Sequence, residues 1–478
     1  MMESLRQATC RKVLVMLLAN TISGFCMAAD ETAALEQVVV TATRVMQPSF
    51  DVPMSIDSVG QRQLQDGQLQ VSLAEALARI PGIVAQNREN PSQDMQISSR
   101  GFGARAGFGV RGLRIYSDGI PATMPDGQSQ VSHLDIGSAA RLEVLRGPFS
   151  SLYGNSSGGV IALFTEDGDA GLQMAPELVM GSYGTRRTSA KVGGDTGTLN
   201  YVFNASDFRT DGYRDHSATQ RTSTNGKIKW SPGADANLAL TLNTVDMPEA
   251  QDTLGLSRAA FDANPKQADA SAYAFNTRKS AAQQLVGLSY EQKMSADTSA
   301  AATLYDGQRS TTQFQAIPVA AQAAATHPGG VVSLTRQYWG VDTRLTRQSR
   351  LADAPLTLTT GLSYDNLGEA RKGYLNFVGA QTGVQGDLRR DENNQIFSFD
   401  QYLQAQWEPT AAWLLMVGAR HSSIQLDSQD HYIVGANLDD SGAVRFDATT
   451  FVVGSTWRLH PAANLYLSMG KWFETPTM

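Results

Sequence analysis

Six histidines are the side chains of this sequence best suited to hold a metal ion or to carry a proton. No two of them have the spacing of a metal-ligand pair; they are His133, His216, His327, His421, His431 and His460. The sequence also contains no nucleophile elbow, no zinc motif and no close pair of carboxylates. We therefore expect no catalytic residue and no metal site, and a secreted β-rich enzyme stays an alternative without a catalytic constellation.

One glycine-rich stretch, Gly107-Phe108-Gly109-Val110-Arg111-Gly112, matches the fingerprint of dinucleotide-binding loops. Such a loop follows a strand and opens a helix. Here no convincing strand precedes the glycines, and residues 113–116 alternate as a strand does. The formal net charge of −7 gives no basic surface for nucleic acid either. We therefore expect neither nucleotide nor nucleic acid as a ligand.

The elements that must position any functional residue are β-strands. In the second half of the chain, apolar residues alternate with small or polar ones in six stretches: Tyr201, Phe203, Ala205; Leu238, Leu240, Leu242; Val286, Leu288, Tyr290; Leu356, Leu358, Leu362; Phe397, Phe399, Leu403; and Trp413, Leu415, Val417. A barrel with one lipid-facing and one water-facing surface needs this pattern, but a soluble sandwich shows it too. Alternation by itself leaves both folds open.

The lengths of the connections separate these two folds. Three short turns each carry a tryptophan, then a proline, then a new strand: Trp230 to Leu238, Trp407 to Leu414 and Trp457 to Leu465. The opposite connections are long and polar, at about 247–282, 307–330, 367–394 and 428–447. Long loops on one side and an aromatic girdle on the other are typical of outer-membrane barrels, whereas such loops are rare in compact soluble domains.

The N-terminus predicts export by a cleaved signal peptide. Arg6, Arg11 and Lys12 precede the apolar run 13–25, and small residues follow for cleavage near Ala28 or Ala29. A lipoprotein anchored at Cys26 is disfavoured, because the bulky Phe25 precedes that cysteine. Both cysteines, Cys10 and Cys26, would be removed on processing, so we expect no disulfide or thiol chemistry.

The segment that follows the signal peptide is a β-branched run between polar flanks, Glu36-Gln37-Val38-Val39-Val40-Thr41-Ala42. Such a run can add as a strand to the sheet edge of a partner. It can equally be the first strand of the next domain. The run alone does not decide between the two.

Several motifs, taken in their order along the chain, resemble the plug of TonB-dependent outer-membrane receptors. They are Ser99-Arg100-Gly101-Phe102-Gly103, Asp118-Gly119-Ile120-Pro121, and the run from Leu142 to Ile161 with Arg146, Gly147, Pro148, Tyr153, Gly154, Gly158 and Gly159. The resemblance implies an α+β plug domain followed by an antiparallel transmembrane β-barrel. It divides the chain into a signal peptide (1–29), a TonB-box segment (30–50) with the box at Glu36 to Ala42, a plug (51–168) and a barrel (169–478).

The same resemblance implies active uptake of a scarce nutrient, driven by the inner-membrane TonB complex. The implied partners are TonB, outer-membrane lipid and a small-molecule ligand, and we expect a monomer. Arg100 and Arg146 match two plug arginines that would pair with glutamates on the barrel wall, and Glu474 is one possible partner; the alternative for each arginine is a solvated turn residue. No signalling domain fits between the signal peptide and Glu36, so a transducer of transcription is not expected.

The barrel is expected to be incomplete. About 13 strands can be placed between Pro176 and Met478, whereas receptors of this type use about 22, so about nine strands would be missing. An open sheet leaves unpaired edges in lipid. We therefore expect the N-terminal portion of a truncated or split receptor. A non-functional product and a passive porin are the further alternatives.

The ligand is expected to be a small anionic cofactor such as pyrroloquinoline quinone. Residues 87–90, 104–109, 121–128, 211–217 and 371–374 resemble the branch of the family that includes receptors for this quinone. Arginines and an aromatic ring would suit a tricarboxylate, and the expected ligand-binding residues are Arg88, Arg105, Arg111, Gln128, Arg214, Arg371 and Tyr374. A ferric siderophore would use the same residue types and is the alternative. No permanently bound cofactor is expected.

Overall fold

The structure, a computed structural model, describes residues 39–40, 47–87, 89–107 and 109–477. They form a small α+β unit, the inner domain (residues 47–165), and a large antiparallel sheet that curves around it, the outer sheet (residues 171–470). No helix in these residues is both long and apolar enough to cross a membrane. The expected signal peptide and both cysteines lie outside the described residues.

The inner domain is built on a five-stranded sheet with the order β3-β8-β9-β6-β7, in which only β6 and β9 run parallel. Side chains of alternating residues in β6 and β8 are fully buried, among them Leu113, Ile115, Leu142 and Val144. The strands and helices of this region are β1 (Val39–Val40), β2 (Gln47–Pro48), β3 (Ser55–Gly60), α1 (Gln61–Gln65), α2 (Ala74–Leu77), β4 (Ile83–Gln86), β5 (Gln96–Ser99), β6 (Leu113–Ser117), β7 (Ile120–Pro121), β8 (Ala139–Arg146), a 3-10 helix (Pro148–Tyr153) and β9 (Gly159–Thr165).

The outer sheet has 13 strands, and each pairs antiparallel with the next. The count of about 13 predicted from the sequence is confirmed. The first and last strands are not paired with each other, and the expectation of about nine further strands stays a prediction. The strands are β10 (Gly171–Met180), β11 (Arg186–Asp195), β12 (Leu199–Thr210), β13 (Thr219–Gly233), β14 (Ala236–Gln251), β15 (Arg278–Lys293), β16 (Thr298–Phe314), β17 (Val331–Leu351), β18 (Ala354–Tyr374), β21 (Leu388–Thr410), β22 (Trp413–Asp430), β23 (Gly442–His460) and β24 (Ala463–Gly470).

Alternation along these strands separates an apolar outer face from a polar inner face. The residues in the six alternating stretches predicted from the sequence are exposed or half-buried on the side that faces away from the inner domain. Their neighbours point inwards and are mostly polar and buried, among them Asn204, Asn225, Asn243, Gln283, Arg309, Asp365, Asp400 and Arg420. A sheet of this kind can meet lipid outside and a polar domain inside.

Aromatic side chains mark two levels of the outer face. At the end with the short turns, Trp413 and Trp457 stack with ring centroids 5.5 Å apart. Towards the long loops, Tyr364 lies 5.3 Å from Trp339. Tyr364 is eight residues from Leu356, the register partner of Trp407, which corresponds to about 26 Å along the strand. This separation fits an apolar band of about 25 Å between two aromatic girdles.

The connections follow the predicted asymmetry. Turns of a few residues join the strands at the tryptophan end, and long segments join them at the other. The longest, residues 252–277, contains α3 (Arg258–Ala263) and α4 (Ala270–Phe275), and the connection after β18 contains the hairpin of β19 (Phe377–Val378) and β20 (Gln381–Thr382). At this end the strands extend beyond the level of Trp339. The observed loops are therefore shorter than the loops predicted from the sequence.

Candidate functional site

Buried polar contacts join the inner domain to the outer sheet, and the pair of Arg114 with Asp365 is the most enclosed ion pair between the described residues of the two units. Arg114 lies in β6 between two fully buried apolar residues. Its Nη2 atom is 2.8 Å from Asp365 Oδ2, and the two side chains are 4% and 3% exposed. The hydroxyl of Tyr305 donates to Asp365 Oδ1 over 2.6 Å. A buried carboxylate with two donors is stable there, whereas an unpaired one is not.

A second contact centres on Arg420, which reaches from β22 into the inner domain. Its Nη2 atom lies 2.9 Å from Asp400 Oδ2, and its Nη1 atom donates to the carbonyl of Leu152 over 2.8 Å. Gly154 adopts φ +92°, and a Cβ there would lie 3.2 Å from Arg420 Nε. Glycine is therefore needed at this position for the backbone conformation and for the close approach of the guanidinium.

The segment 132–138 of the inner domain forms a strap held by side chains of the three consecutive outer strands β12, β13 and β14 and of β16. Asn204 donates to Asp135 over 2.9 Å, and Asn225 donates to Ser138 Oγ over 3.0 Å. Asn243 Nδ2 donates to the carbonyl of His133 over 3.0 Å, and Arg309 Nη2 donates to Ser132 Oγ over 3.1 Å. Two of these bonds join neutral groups, and the other two each include one charged group, Asp135 or Arg309, so they are the stronger ones.

The three motif residues expected to form ion pairs across the interface do not form them with one another. Arg146 pairs with Asp57 and donates to the carbonyl of Pro81, both in the inner domain. The expected pair of Arg146 with the outer sheet is therefore corrected: β3 lies directly beside β8, which brings Asp57 within reach. Arg100 is exposed at φ +50°, with no side-chain bond to a described residue. Glu474 does contact the inner domain, but it accepts from Ser157 Oγ and not from an arginine.

The remaining motif residues shape the turn after β8. Gly147 and Gly154 have φ near +95° and +92°, and Pro148 begins the 3-10 helix. Tyr153 is buried and makes an edge contact with Tyr116 at 5.6 Å. A Cβ at Gly158 would lie 2.7 Å from that of Phe102, and one at Gly159 would lie 2.5 Å from the carbonyl oxygen of Leu145. Gly101, at φ +91°, supplies the turn after Arg100.

The residues expected to bind ligand have different surroundings. Arg88 lies outside the described residues, Arg105 is exposed, and Gln128 is half-buried. Arg111 donates to the carbonyl of Thr475 over 3.0 Å. Arg214 is corrected to a structural role, because its guanidinium donates to Thr253, Leu254 and Gln267 within the loops, at distances from 2.6 to 3.3 Å.

Arg371 differs from these arginines. It is half-buried near the long-loop end of β18, on the same face as the buried Glu369 and therefore facing inwards. No hydrogen bond or ion pair joins its side chain to another described residue. Tyr374 follows three residues later, so the alternation of a strand places it on the opposite face. The expected pairing of an arginine with a stacking aromatic ring therefore does not form between these two residues.

Comparison with known proteins assigns these two parts. Residues 48–160 match the family described as "TonB-dependent Receptor Plug Domain", and residues 178–478, more than half of the chain, match "TonB dependent receptor-like, beta-barrel". The chain belongs to the TonB-dependent receptor family. The inner domain is its plug and the outer sheet is its barrel wall. This family and fold are those of receptors and transporters and not of enzymes.

Relatives of known name cover parts of the chain. It is 30% identical over 155 residues to the vitamin B12 transporter BtuB of Vibrio vulnificus (strain CMCP6), which is 32% of this chain and 24% of that protein. It is 29% identical over 164 residues to the hemin receptor of Yersinia pestis, which is 32% of this chain and 23% of that protein. The matches thus span about a quarter of the length of these curated relatives.

Solved structures share the fold at low sequence identity. The unliganded ferric citrate transporter FecA superposes with a TM-score of 0.74 at 21% identity, over 89% of this chain and 64% of FecA. The ferric-catecholate import receptor Fiu from E. coli K12 superposes with a TM-score of 0.71 at 17% identity, over 90% of this chain and 71% of Fiu. These likenesses concern the fold of plug and wall.

The receptor holds a neutral histidine inside the plug. His133 is buried, and its Nδ1 atom has no hydrogen-bond partner among the residues described. Burial, and then repulsion by Arg309 and Arg221, lowers the pKa of His133 from 6.5 to about 3. The unfolded segment takes up a proton below pH 6.5 while the folded plug does not. This contribution to stability is therefore complete above pH 6.5 and is lost as the pH falls from 6.5 towards 3.

Acidification should loosen the strap 132–138, by about 1.4 kcal/mol for each pH unit below 6.5. Hydrogen exchange of its amides at pH 7 and pH 5, corrected for the intrinsic pH dependence of exchange, measures this effect. The His133→Asn variant carries no titrating group at this position and should lose the additional response. If both proteins respond equally to acid, His133 is not the group responsible.

A buried aspartate ties the longest loop of the receptor to the top of the plug. Asp252 Oδ1 accepts from Asn90 Nδ2 over 2.8 Å, and Oδ2 accepts from Gln93. Asp252 is 4% exposed, and its backbone is bonded to Thr277 at the far end of the loop. The plug and the loop are therefore expected to move together at this point.

Replacing Asp252 with alanine should release both segments. The lost bonds leave polar groups of the plug without partners, at a cost on the order of 1–3 kcal/mol. We expect amide exchange in residues 252–277 and 89–94 to accelerate about tenfold or more, as read by mass spectrometry. Asp262→Ala is the matched control, since Asp262 lies in the same loop but pairs only with the exposed Arg258. Equal effects of the two variants would contradict the coupling.

The sequence reasoning missed Arg114, Asp365, Asp400 and Arg420, although a signal was present. Asp365 lies two residues after Ser363, whereas Leu362 and Tyr364 lie an odd number of residues from it on the outward face. Strand alternation therefore turns the side chain of Asp365 inwards. Asp400 and Arg420 follow the same rule on β21 and β22. Arg114 stands between Leu113 and Ile115 in a strand of the plug core. A charge on an inward-facing or buried position indicates a partner across the interface.

Proposed function

We propose that this chain forms the plug and part of the barrel wall of a receptor that imports a scarce, small anionic nutrient across the bacterial outer membrane, driven by TonB. Family membership supports the general part of this proposal. The proposed bounds remain 30–50 for the TonB-box segment, 51–168 for the plug and 169–478 for wall residues, after a cleaved signal peptide (1–29). A wall completed by further strands, and a monomeric receptor, belong to the same proposal.

The proposed contact with TonB is the box at residues 36–42. Of these, only Val39 and Val40 lie in the described part, where they pair antiparallel with Pro48 and Gln47. A short β-branched segment can exchange such a pairing for the sheet edge of a partner. We propose that TonB takes up this strand from the periplasm and transmits force to the plug.

The anionic class of the ligand rests on Arg371. This guanidinium faces the interior of the wall near the long loops, and it forms no hydrogen bond or ion pair with a described residue. Nearby charges are already engaged: Arg336 with Glu369 at 2.5 Å, and Arg390 with Glu392. A carboxylate group of a ligand would supply the missing partner through charge-assisted hydrogen bonds. Pyrroloquinoline quinone is our first candidate, and a ferric siderophore is equally consistent with this chemistry.

Ligand binding is tested by replacing Arg371 with glutamine in the receptor. Loss of a charge-assisted bond costs on the order of 1.5–3 kcal/mol, so we expect affinity for the ligand to fall about 10- to 100-fold in calorimetric titrations with pyrroloquinoline quinone and with ferric citrate. Lys372→Gln is the control, because Lys372 points outwards and lies 3.6 Å from Asp391. Unchanged affinity in Arg371→Gln would reject this residue as the anion contact.

The dependence of uptake on TonB can be tested separately from ligand binding. Deleting residues 36–42 should abolish uptake into cells while leaving the affinity of the purified receptor unchanged. A passive porin, the remaining alternative, would transport without these residues. Uptake that survives the deletion would favour the porin.

A further inference from the structure

A groove on the outer face of the wall is distinct from every site described so far. It is a cavity of about 460 Å³ that crosses β13 to β16 on the side facing away from the plug. Asn225 and Asn243, the neighbours of its residues along the strands, bond to the plug on the other side of the sheet. The groove therefore opens towards the membrane and not into the interior of the barrel.

The depth of the groove has a local cause. Gly226 occupies an outward position and contributes no side chain there, while its neighbours across the ladder are Phe203 and Leu242. A Cβ at Gly226 would lie 2.7 Å from the ring of Phe203, so the ring leans over the glycine. Thr224 and Thr244, one step towards the long loops, are also small. Together these residues leave an indentation between larger side chains.

Two rows of paired residues border the groove and differ in polarity. The row on the short-turn side contains Leu242 and Val286, which are 40% and 41% exposed. The row on the long-loop side contains Thr244, Gln284 and Gln308, which face each other across the ladder. Along β14 and β15 the groove thus crosses from apolar to polar surface within one residue pair, whereas on β16 both positions, Asp306 and Gln308, are polar.

This boundary lies at the level of an aromatic girdle. The row that contains Leu242 and Val286 continues across the ladder through Asp306 to Trp339. Trp339 in turn contacts Tyr364. Aromatic side chains at such a level mark the interface between hydrocarbon and headgroups. The side of the long loops is the leaflet that faces the outside of the cell.

The amides of the polar row have no partners. Gln284 and Gln308 are exposed, and within the described residues neither side chain makes a hydrogen bond. An amide that faces the hydrocarbon edge without a partner is costly, because lipid tails offer no hydrogen bonds. The carboxylate of Asp306 beside them disfavours a phosphate at this point and favours uncharged carbonyl and hydroxyl groups.

We propose that the groove binds one acyl chain of an outer-leaflet lipid, with the carbonyl that links the chain to the headgroup hydrogen-bonded by Gln284 and Gln308. The chain lies along Phe203, Leu242 and Val286, and Gly226 provides the depth for it. Such a lipid fixes the wall at a defined depth, because its headgroup can lie only above the amide row.

Native mass spectrometry of the receptor extracted from its own membrane tests this assignment. The wild-type protein should retain one lipid, and its fragment spectrum should contain acyl chains. The double variant Gln284→Leu with Gln308→Leu should lower the lipid-bound fraction at least fivefold. Thr244→Phe, which fills the cavity and keeps both amides, should lower it to a similar extent. Gln401→Leu, an outward-facing glutamine of β21 away from the groove, should leave it unchanged.

Three results on lipid binding would each overturn the proposal. They are a wild-type receptor without bound lipid, an equal loss in the Gln401→Leu control, or retention of lipid in both groove variants. A protein recovered at the groove in place of lipid would also overturn it and would identify a protein interface. Hydrogen exchange of the plug, measured on the same samples, verifies that each variant is folded.

Discussion

Replacing Asp365 with asparagine is expected to destabilise the plug inside the wall by about 3–5 kcal/mol. The substitution leaves Arg114 buried with no counter-charge within hydrogen-bonding distance, and a buried unpaired charge costs far more than the ion pair gains. The hydroxyl of Tyr305 also loses its carboxylate acceptor. We expect faster amide exchange in β6 (Leu113–Ser117) and increased entry of large antibiotics into cells that carry the variant.

Two further variants distinguish the loss of this ion pair from a general loss of plug stability. Asp306→Asn alters an exposed aspartate of β16, the strand that carries Tyr305, and should leave plug exchange unchanged. Asp365→Asn combined with Arg114→Met removes both charges and should recover a large part of the lost stability, because neither group is then buried alone. If the double variant is as unstable as Asp365→Asn, the energy does not come from this pair.

Replacing Arg420 with methionine should have an effect of the same order, about 3–5 kcal/mol, in another part of the plug. Asp400, whose side chain is 5% exposed, loses its partner. The plug loses the hydrogen bond to the carbonyl of Leu152. Exchange should therefore accelerate in the 3-10 helix Pro148–Tyr153 and less in β6. Local exchange, together with a thermal unfolding curve, measures both parts of this result.

The companion substitution Asp400→Asn provides the test of mechanism. In combination with Arg420→Met it removes the buried carboxylate charge. The double variant should therefore be more stable than the single variant Arg420→Met. Arg445→Met on β23 is the control, because Arg445 pairs with Asp447 at the exposed surface and exposed pairs contribute about 0–1 kcal/mol. If Arg445→Met is as harmful as Arg420→Met, burial does not explain the effect.

The predictions that succeeded rest on short-range patterns. The alternation of Leu356, Leu358 and Leu362 placed these residues on the outer face, because a strand turns every second side chain to the same side. The tryptophan-proline turns placed Trp230, Trp407 and Trp457 at one end of the wall. Gly147 and Gly154, which belong to the plug motifs, adopt the positive φ that glycine permits. Each of these inferences needs only the periodicity or conformation of the local chain.

The predictions of specific contacts were weaker, for a physical reason. Arg146 has Asp57 beside it only because β3 pairs with β8, although 89 residues separate the two positions. Arg214 was expected to bind ligand, but the folded loop supplies acceptors for its whole guanidinium. Which charge meets which depends on strand register and on the rotation of the plug inside the wall. No local pattern contains that information.

The sequence alone therefore determined the class of protein, the order of plug and wall, the approximate number of strands in the sheet and the face on which the residues of six alternating stretches lie. Tertiary structure decided which residues hold the plug: Arg114 with Asp365 and Arg420 with Leu152, not Arg146 with Glu474. It also decided that the guanidinium of Arg214 is fully hydrogen-bonded within the loops, whereas that of Arg371 forms no hydrogen bond with a described residue. Alternation along a strand is a property of adjacent residues, whereas a buried ion pair exists only where two distant segments exclude water together.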